Sequence, residues 1–194
     1  RLLQTVASAM GVALQSAQRF DETQRLLKET EQRNAELAVI NSIQQGIAGS
    51  LDFEAIIELV GARLREVLGS EDLGITWIDH ATRTMRTSYL VEHGRRLSIP
   101  DEVITDEARW KRILARRQPL VYNTVAESMA AGQSPIPGTD QALSTVIVPI
   151  VVGDRRVGSI SVEDHQREHA FGEAELRLLQ TVASAMGVAL QSAQ

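Results

Sequence analysis

Apolar residues recur at heptad spacing along the first part of the chain and outline one face of a helix. The stripe starts in a segment rich in Ala, Leu, Gln and Met, which are strong helix formers, and continues through the charged segment Arg19–Glu36. Its members are Val6, Met10, Ala13, Ala17, Phe20 and Leu27. The pattern predicts one long coiled-coil helix from Arg1 to about Ala48. Because so long a helix cannot bury its stripe against one small domain, we expect a homodimer through this stripe.

The spacing changes after Gly49, and the rest of the chain alternates between helical and strand-like segments. Three more helices are predicted: Phe53–Leu68, Asp106–Arg117 with Thr105 as its N-cap, and a closing helix from Glu173. Strands are predicted at Leu73–Asp79, Thr84–Val91, Arg95–Ile99, Pro119–Tyr122, Leu143–Val152 and Arg155–Glu163. The strands form hairpins between terminal helices, which indicates an α+β fold with an antiparallel sheet and the helices packed on one of its faces.

The segment RLLQTVASAMGVALQSAQ occurs twice, at Arg1–Gln18 and unchanged at Arg177–Gln194. A period this long is typical of tandem domains, because solenoid repeats are only about 20–50 residues long. We therefore expect one repeat unit of a longer protein. In this interpretation residues 1–18 are the closing helix of a preceding domain, residues 19–40 a helical coiled-coil linker, and residues 41–194 one domain.

Composition excludes several classes of function. The net charge of −5, the pI of about 5.4 and the low aromatic content of 4% argue against nucleic-acid binding. The chain has no cysteine, which excludes disulfides, thiolate catalysis and thioether-linked cofactors. The longest apolar run, Val146–Val152, is too short to span a bilayer, so no membrane contact is expected from this segment.

The histidines are candidates for polar chemistry: His80, His93, His165 and His169. His165 and His169 lie four positions apart beside Glu163 and Asp164, a set that could bind a metal ion or simply form a polar loop. His80 and His93 are predicted at the surface. The sequence contains neither a nucleophile elbow nor a Gly-rich phosphate loop, so we expect no enzymatic activity and assign no catalytic residue.

The segment Leu143–Gln194 resembles the closing half of a GAF domain. The residues that carry the resemblance are Ser144, Val148–Ile150, Gly153, Val157, Gly158, Phe171, and the stripe Leu178, Leu179, Val182, Ala183 and Ala189. The helix Phe53–Leu68, followed by a strand that contains Trp77, is similar to the opening of the same family. The helical segments that flank the domain resemble those that join GAF units in bacterial multi-sensor histidine kinases and nucleotide cyclases.

The resemblance implies a six-stranded antiparallel sheet with a small-molecule pocket on one face and the terminal helices on the other. It implies a cytoplasmic sensor domain that dimerises through its helices and controls an output domain of the parent protein. It identifies neither the ligand nor a cofactor. Without cysteine, the chain departs from the bilin-attaching and methionine sulfoxide reductase members, and it lacks the Asn-Lys pair of the cyclic-nucleotide-binding members.

Residues for the implied pocket are chosen by type and position. They are Trp77, Tyr89, Trp110, Tyr122, Thr139 and Asp140, the last two in a predicted lid over Ser134–Asp140. Arg109, Arg112 and Arg116 form one stripe of the predicted helix, which either contacts an anionic ligand or faces solvent. Two functional hypotheses remain open: a sensor that binds a small molecule, and a degenerate GAF domain that serves only dimerisation and signal conduction.

Overall fold

The computed structural model describes residues 2–48 and 53–192, with only the backbone described for residues 2–9, 32, 36, 43, 44, 47, 48 and 190–192. The chain divides into two compact units, residues 1–37 and residues 38–194. In the described part of the chain, no helix has both the length and the apolar content of a membrane span.

Helix α1 covers Leu2–Ala48 without interruption, which confirms the predicted long helix. Arg25 forms ion pairs with Glu22 and Glu29 one turn away in each direction, and such pairs support a solvated helix. The predicted dimer stripe is exposed at its described positions Met10, Ala13, Ala17, Phe20 and Leu27. The side chain of Val6, the remaining member, lies outside the described residues.

The described residues of the second unit form four further helices and seven strands. The helices are α2 (Phe53–Leu68), α3 (Glu107–Ala115), α4 (Val125–Ala130) and α5 (Glu173–Ser192). The strands are β1 (Leu73–Asp79), β2 (Thr84–Glu92), β3 (Arg95–Arg96), β4 (Glu102–Val103), β5 (Leu120–Tyr122), β6 (Ser144–Val152) and β7 (Arg155–Asp164). The α+β class and the GAF-like fold predicted from the sequence are thereby confirmed.

The strands form one antiparallel sheet in the order β3-β2-β1-β7-β6-β5. Strand β4 lies outside this order and pairs with the first two residues of β2, Thr84 and Met85. The sheet therefore has one strand more than predicted. Strand β4 has only two residues, too few to leave a period-2 pattern, and it exists because Val103 pairs with Thr84. The predicted strand over Arg95–Ile99 is shorter than expected, since only Arg95 and Arg96 pair with β2.

The main hydrophobic core lies between one face of the sheet, here called the helix face, and helices α2 and α5. Because side chains alternate along a strand, every second residue of β1, β6 and β7 points to this face. The sheet contributes Leu73, Ile75, Val146, Val148, Ile150, Ile160 and Val162, and the helices contribute Ile57, Val60, Leu64, Leu179, Val182 and Met186. The terminal helices of the domain thus pack on one face, as predicted.

Two local expectations are corrected by the structure. The N-cap of α3 is Asp106 and not Thr105, because the carboxylate of Asp106 accepts the backbone N–H of Arg109, three residues into the helix. The segment Asn123–Asp140, for which the sequence predicts no helix or strand, contains the short helix α4 with Thr124 as its N-cap.

The duplicated segment has different surroundings in its two copies. In α5, Met186 is 1% exposed and packs in the main core, whereas its counterpart Met10 in α1 is 68% exposed. Gly187 lies so close to the sheet that a Cβ atom there would stand 2.4 Å from the backbone oxygen of Val151, whereas a Cβ at Gly11 would meet no atom within 4 Å. The same local sequence therefore forms a helix in both places but a packed helix only in the second.

Candidate functional site

The opposite face of the sheet, here called the cavity face, borders a cavity of about 980 Å³. Helix α3, helix α4 and the following segment to residue 142 form its other walls. Six small residues of the cavity face line the cavity beside larger apolar ones such as Met85 and Ile147, and five of the six carry hydroxyl groups: Gly74, Thr76, Thr87, Thr145, Ser159 and Ser161. These positions alternate with the aliphatic residues of the helix face, so one face of the sheet is filled and the other is left open.

The basic end of the cavity is formed by Arg112, Arg116 and Arg156. Arg156 is buried, and its guanidinium donates to two backbone oxygens, Gly158 O at 3.2 Å and Ile113 O at 3.0 Å. Burial, together with the nearby charge of Arg116, lowers the pKa of Arg156 to about 10. No carboxylate among the described residues forms an ion pair with this guanidinium, so its charge has no acidic partner in that part of the chain.

Arg109, the third arginine of the predicted stripe, is paired differently. Its guanidinium binds both carboxylate oxygens of Glu102, and this hydrogen bonding holds the pKa of Glu102 below its ordinary value. Arg112 and Arg116 lie further along α3 and line the cavity at the basic end. The stripe is therefore split between one structural ion pair and two arginines available to an anion.

The acidic end of the cavity is lined by Glu92, Asp140 and Glu163. Burial raises the pKa of Glu163. The charge of His165 lowers this pKa, whereas the nearby carboxylate of Glu92 raises it further. His93 reaches Asp140, with 3.1 Å between Nε2 and Oδ2, and this hydrogen bond raises the pKa of His93. His93 takes a positive φ in the tight β2–β3 turn, which directs its backbone N–H to Asp72.

The predicted pocket residues fall into two groups. Tyr122, Thr139 and Asp140 line the cavity, and so does most of the predicted lid segment. The other three lie elsewhere: Trp77 packs edge-on against Phe53 on the helix face with ring centroids 4.7 Å apart, Tyr89 lies in the main core, and Trp110 packs with Ile78 and Ile104. Ligand contact by any of the six remains a prediction.

The contacts of the histidines also differ from those predicted from the sequence. His80 is not free at the surface, because its Nε2 lies 2.7 Å from the backbone oxygen of Arg156. Of the set His165, His169, Glu163 and Asp164, the structure brings together only His165 and Glu163, with 4.0 Å between Nε2 and Oε2. His169 is exposed, and Asp164 accepts the backbone N–H groups of the following loop. His165 turns inward to Asp72, which precedes β1, and to Glu92 of β2.

The sequence analysis missed Glu92, Arg156, Ser159 and Ser161 as cavity residues. A signal for the two serines exists in β7, where Ser159 and Ser161 alternate with Ile160 and Val162. Small polar residues that alternate with aliphatic ones in a strand indicate that one face of the sheet is not packed in the core. Glu92 and Arg156 lack such a signal, because their positions depend on how the strands pair.

The GAF domain family model matches residues 50–191. The chain belongs to the GAF domain family. GAF domains are regulatory sensor domains, and this chain carries the family's sheet, its two packed terminal helices and a cavity on the free sheet face. No curated protein matches the sequence.

Solved structures share the GAF fold at low sequence identity. The GAF domain of an Acinetobacter phosphoenolpyruvate-protein phosphotransferase superimposes with a TM-score of 0.65 at 14% identity, covering 82% of this chain and 95% of that one. Residues 122 to 287 of a methyl-accepting chemotaxis protein give 0.64 at 20% identity, with coverages of 79% and 95%. The phycocyanobilin-bound GAF domain of a cyanobacterial phytochrome gives 0.60 at 21% identity, with coverages of 81% and 94%.

Proposed function

We propose that this GAF domain is the sensor of a bacterial signal-transduction protein and binds a small organic anion in the cavity. The observation that carries the proposal is the cavity itself, which is lined by small hydroxyl residues and has the buried Arg156 at one end. Its volume of about 980 Å³ lies at the upper end of the range of about 300–1,000 Å³ typical of ligand sites.

The chemistry of the lining favours a ligand with an anionic group and several hydrogen-bonding groups. Arginine forms strong charge-assisted bonds with carboxylates and phosphates, and Arg112 and Arg116 flank Arg156 at the basic end. The threonines and serines of the cavity face both donate and accept hydrogen bonds. A GAF domain similar in fold holds phycocyanobilin, but a thioether-linked bilin requires a cysteine that this chain lacks.

The alternative is a degenerate GAF domain without a ligand, which would serve dimerisation and signal conduction only. Such a domain would need no open cavity, and large side chains on the cavity face would stabilise it by filling the space. The small residues at these positions, together with an arginine buried without an acidic partner, favour the ligand-binding hypothesis.

Native mass spectrometry of freshly purified protein tests ligand binding directly. We expect an added mass that disappears on denaturation. A thermal-shift panel of nucleotides, phosphorylated sugars and dicarboxylates then identifies the class, and Arg112→Gln should abolish the shift. Lys111→Gln is the matched control, because Lys111 is exposed on the same helix and does not line the cavity. No added mass and no shift across the panel would favour the degenerate alternative.

We further propose that the signal leaves the domain through a homodimer of α1 helices. The exposed Phe20 and Leu27 support this, because a helix that presents large apolar residues on one stripe gains stability from a partner helix. The chain has no native cysteine, so Phe20→Cys and Leu27→Cys each introduce one thiol, and we expect disulfide-linked dimers on mild oxidation. Glu29→Cys, two positions beyond the stripe, should crosslink poorly, and monomers in all three variants would refute the dimer.

The wider arrangement follows from the repeated segment. We propose that residues 1–18 are the closing helix of a preceding GAF unit, residues 19–40 the linker and residues 41–194 the sensor domain. The packing of the second copy against its own sheet supports this, because the first copy carries the same residues for such a contact. We propose a regulatory rather than catalytic role, with an output domain of the histidine kinase or nucleotide cyclase type in the parent protein.

A further inference from the structure

The imidazole of His165 is buried without hydrogen bonds. Its side chain is 7% exposed, and neither Nδ1 nor Nε2 has a hydrogen-bond partner among the described residues. Buried polar atoms in folded proteins are nearly always hydrogen-bonded, and an exception calls for a specific reason such as a bound ion. A neutral imidazole nitrogen is also the commonest metal ligand in proteins.

Three carboxylates surround this ring and form with it what we call the acidic cluster: Asp72, Glu92, Glu163 and His165. On one side, Nε2 of His165 lies 3.7 Å from Oε1 of Glu92 and 4.0 Å from Oε2 of Glu163. The ligand atoms of these three residues lie within 4.8 Å of one another. Nitrogen and oxygen ligands at about 2.1 Å from a tetrahedral ion stand about 3.4 Å apart, so side-chain shifts of about 1 Å bring the three atoms to coordination distance.

On the other side of the ring, Oδ2 of Asp72 lies 3.2 Å from Nδ1 of His165. A histidine that binds a metal through one nitrogen usually donates its other ring N–H to a carboxylate, which orients the ring and selects the tautomer. A small rotation of the imidazole makes this bond. Asp72 is therefore placed as the orienting partner of a metal-binding histidine.

The carboxylates of the acidic cluster have no basic side chain other than histidine beside them in the described part of the chain. Within that part, the ion-pair contacts of Asp72, Glu92 and Glu163 are all with histidines. Asp140 and His93 face the cluster from the cavity side, and the His93 ring lies 4.5 Å from that of His165 between centroids. The cluster thus gathers three carboxylates in a largely buried place, where negative charge is unfavourable unless a cation compensates it.

We propose that the acidic cluster binds one divalent transition-metal ion through Nε2 of His165 and the carboxylates of Glu92 and Glu163. An imidazole with two carboxylates suits Zn²⁺, Co²⁺ or Mn²⁺ better than Mg²⁺ or Ca²⁺, which prefer all-oxygen sites. The site goes beyond the proposed sensor function and does not depend on it, because the organic anion is assigned to Arg112, Arg116 and Arg156 at the other end of the cavity.

The test is a titration of the full chain, stripped with a chelator, with Co²⁺. Isothermal calorimetry measures the affinity, and the visible absorption of Co²⁺ reports the coordination by nitrogen and oxygen. We expect one ion per chain. Removing an outer-shell partner typically weakens metal binding about 10–100-fold, so Asp72→Asn should cause a loss in this range and His165→Asn or Glu163→Gln a larger one. Zn²⁺ should raise Tm in the unmodified protein but not in His165→Asn or Glu163→Gln.

Two control variants come from the same loop. His169→Asn and Glu168→Gln change exposed residues outside the cluster and should leave the affinity unchanged. Circular dichroism checks that each variant is folded. If His165→Asn fails to fold, the more exposed and isosteric Glu163→Gln decides the question. No saturable binding, or saturable binding that survives in Glu163→Gln, would overturn the proposal.

Discussion

Replacing each of the two duplicated glycines by alanine tests how closely α5 packs on the sheet. Gly11 and Gly187 lie in identical sequences, so the gain in helix propensity, up to about 1 kcal/mol, is the same for both substitutions. The surroundings differ. The new methyl group at Gly187 would stand 2.4 Å from the backbone oxygen of Val151, whereas at Gly11 it would meet nothing within 4 Å.

The magnitude follows from the displaced helix. A methyl group at Gly187 needs about 1 Å more than the available 2.4 Å, so α5 must move away from β6 or the strand must bend. A gap of about 0.5–1 Å forfeits a quarter to a half of the dispersion energy of each contact, and Leu179, Val182 and Met186 all contact the sheet from this helix. Overpacking costs about 1–3 kcal/mol. We take the upper half of that range and subtract the propensity gain, which leaves a net destabilisation of about 1–2 kcal/mol for Gly187→Ala.

Urea and thermal unfolding followed by tryptophan fluorescence measure this loss, because Trp77 and Trp110 both lie in the unit of residues 38–194. At about 2–4 °C per kcal/mol for a domain of this size, Gly187→Ala should lower Tm by about 2–8 °C. Gly11→Ala should leave this transition unchanged and slightly increase the helical circular dichroism signal. The packing argument fails if Gly187→Ala is as stable as the unmodified chain, or if both variants lose stability equally.

Three further predictions concern single contacts. Asp106→Ala should cost about 1 kcal/mol of stability in urea unfolding, whereas Thr105→Ala should cost almost nothing, and the reverse order would contradict the assigned cap. Carboxyl NMR titration should find the pKa of Glu102 below its ordinary value in the unmodified protein and closer to that value in Arg109→Gln. The ion pair then stabilises the fold at pH values above the unfolded-state pKa of Glu102, and this stabilisation is lost as the pH falls through the folded-state pKa. Gly158→Ala places a Cβ 2.5 Å from a backbone oxygen of the neighbouring strand and should lower the unfolding midpoint by more than Gly187→Ala, because a central strand cannot move aside as a helix can.

Elements with a long periodic pattern were predictable from the sequence. The helix Phe53–Leu68 and the strand Leu73–Asp79 agree with the prediction at both ends, because amphipathic spacing and a following glycine or turn mark their limits locally. The short strands β3 and β4 were not predictable in this way. Two residues cannot establish a period, and their strand character comes from the partner strand β2.

The candidate site was predictable only in part. Tyr122, Thr139 and Asp140 were chosen for their residue type and loop position, and they line the cavity. Trp77 was chosen by the same rule and lies on the helix face, because the register of β1 and not the residue type decides which face a side chain meets. Arg156 was missed because nothing in its neighbourhood along the chain indicates that its charge is buried.

The sequence by itself determined the longer helices and strands of this protein, its resemblance to the GAF family and the identity of the two eighteen-residue segments. Only the tertiary structure decided what those segments contact and where the charges lie. Met10 and Met186 share a sequence environment, yet one is exposed and the other buried. His165, expected beside His169, lies instead beside Asp72, which precedes β1, and Glu92 of β2. The reason is physical: helix formation depends on neighbours along the chain, whereas burial and the surroundings of a charge depend on segments far away in sequence.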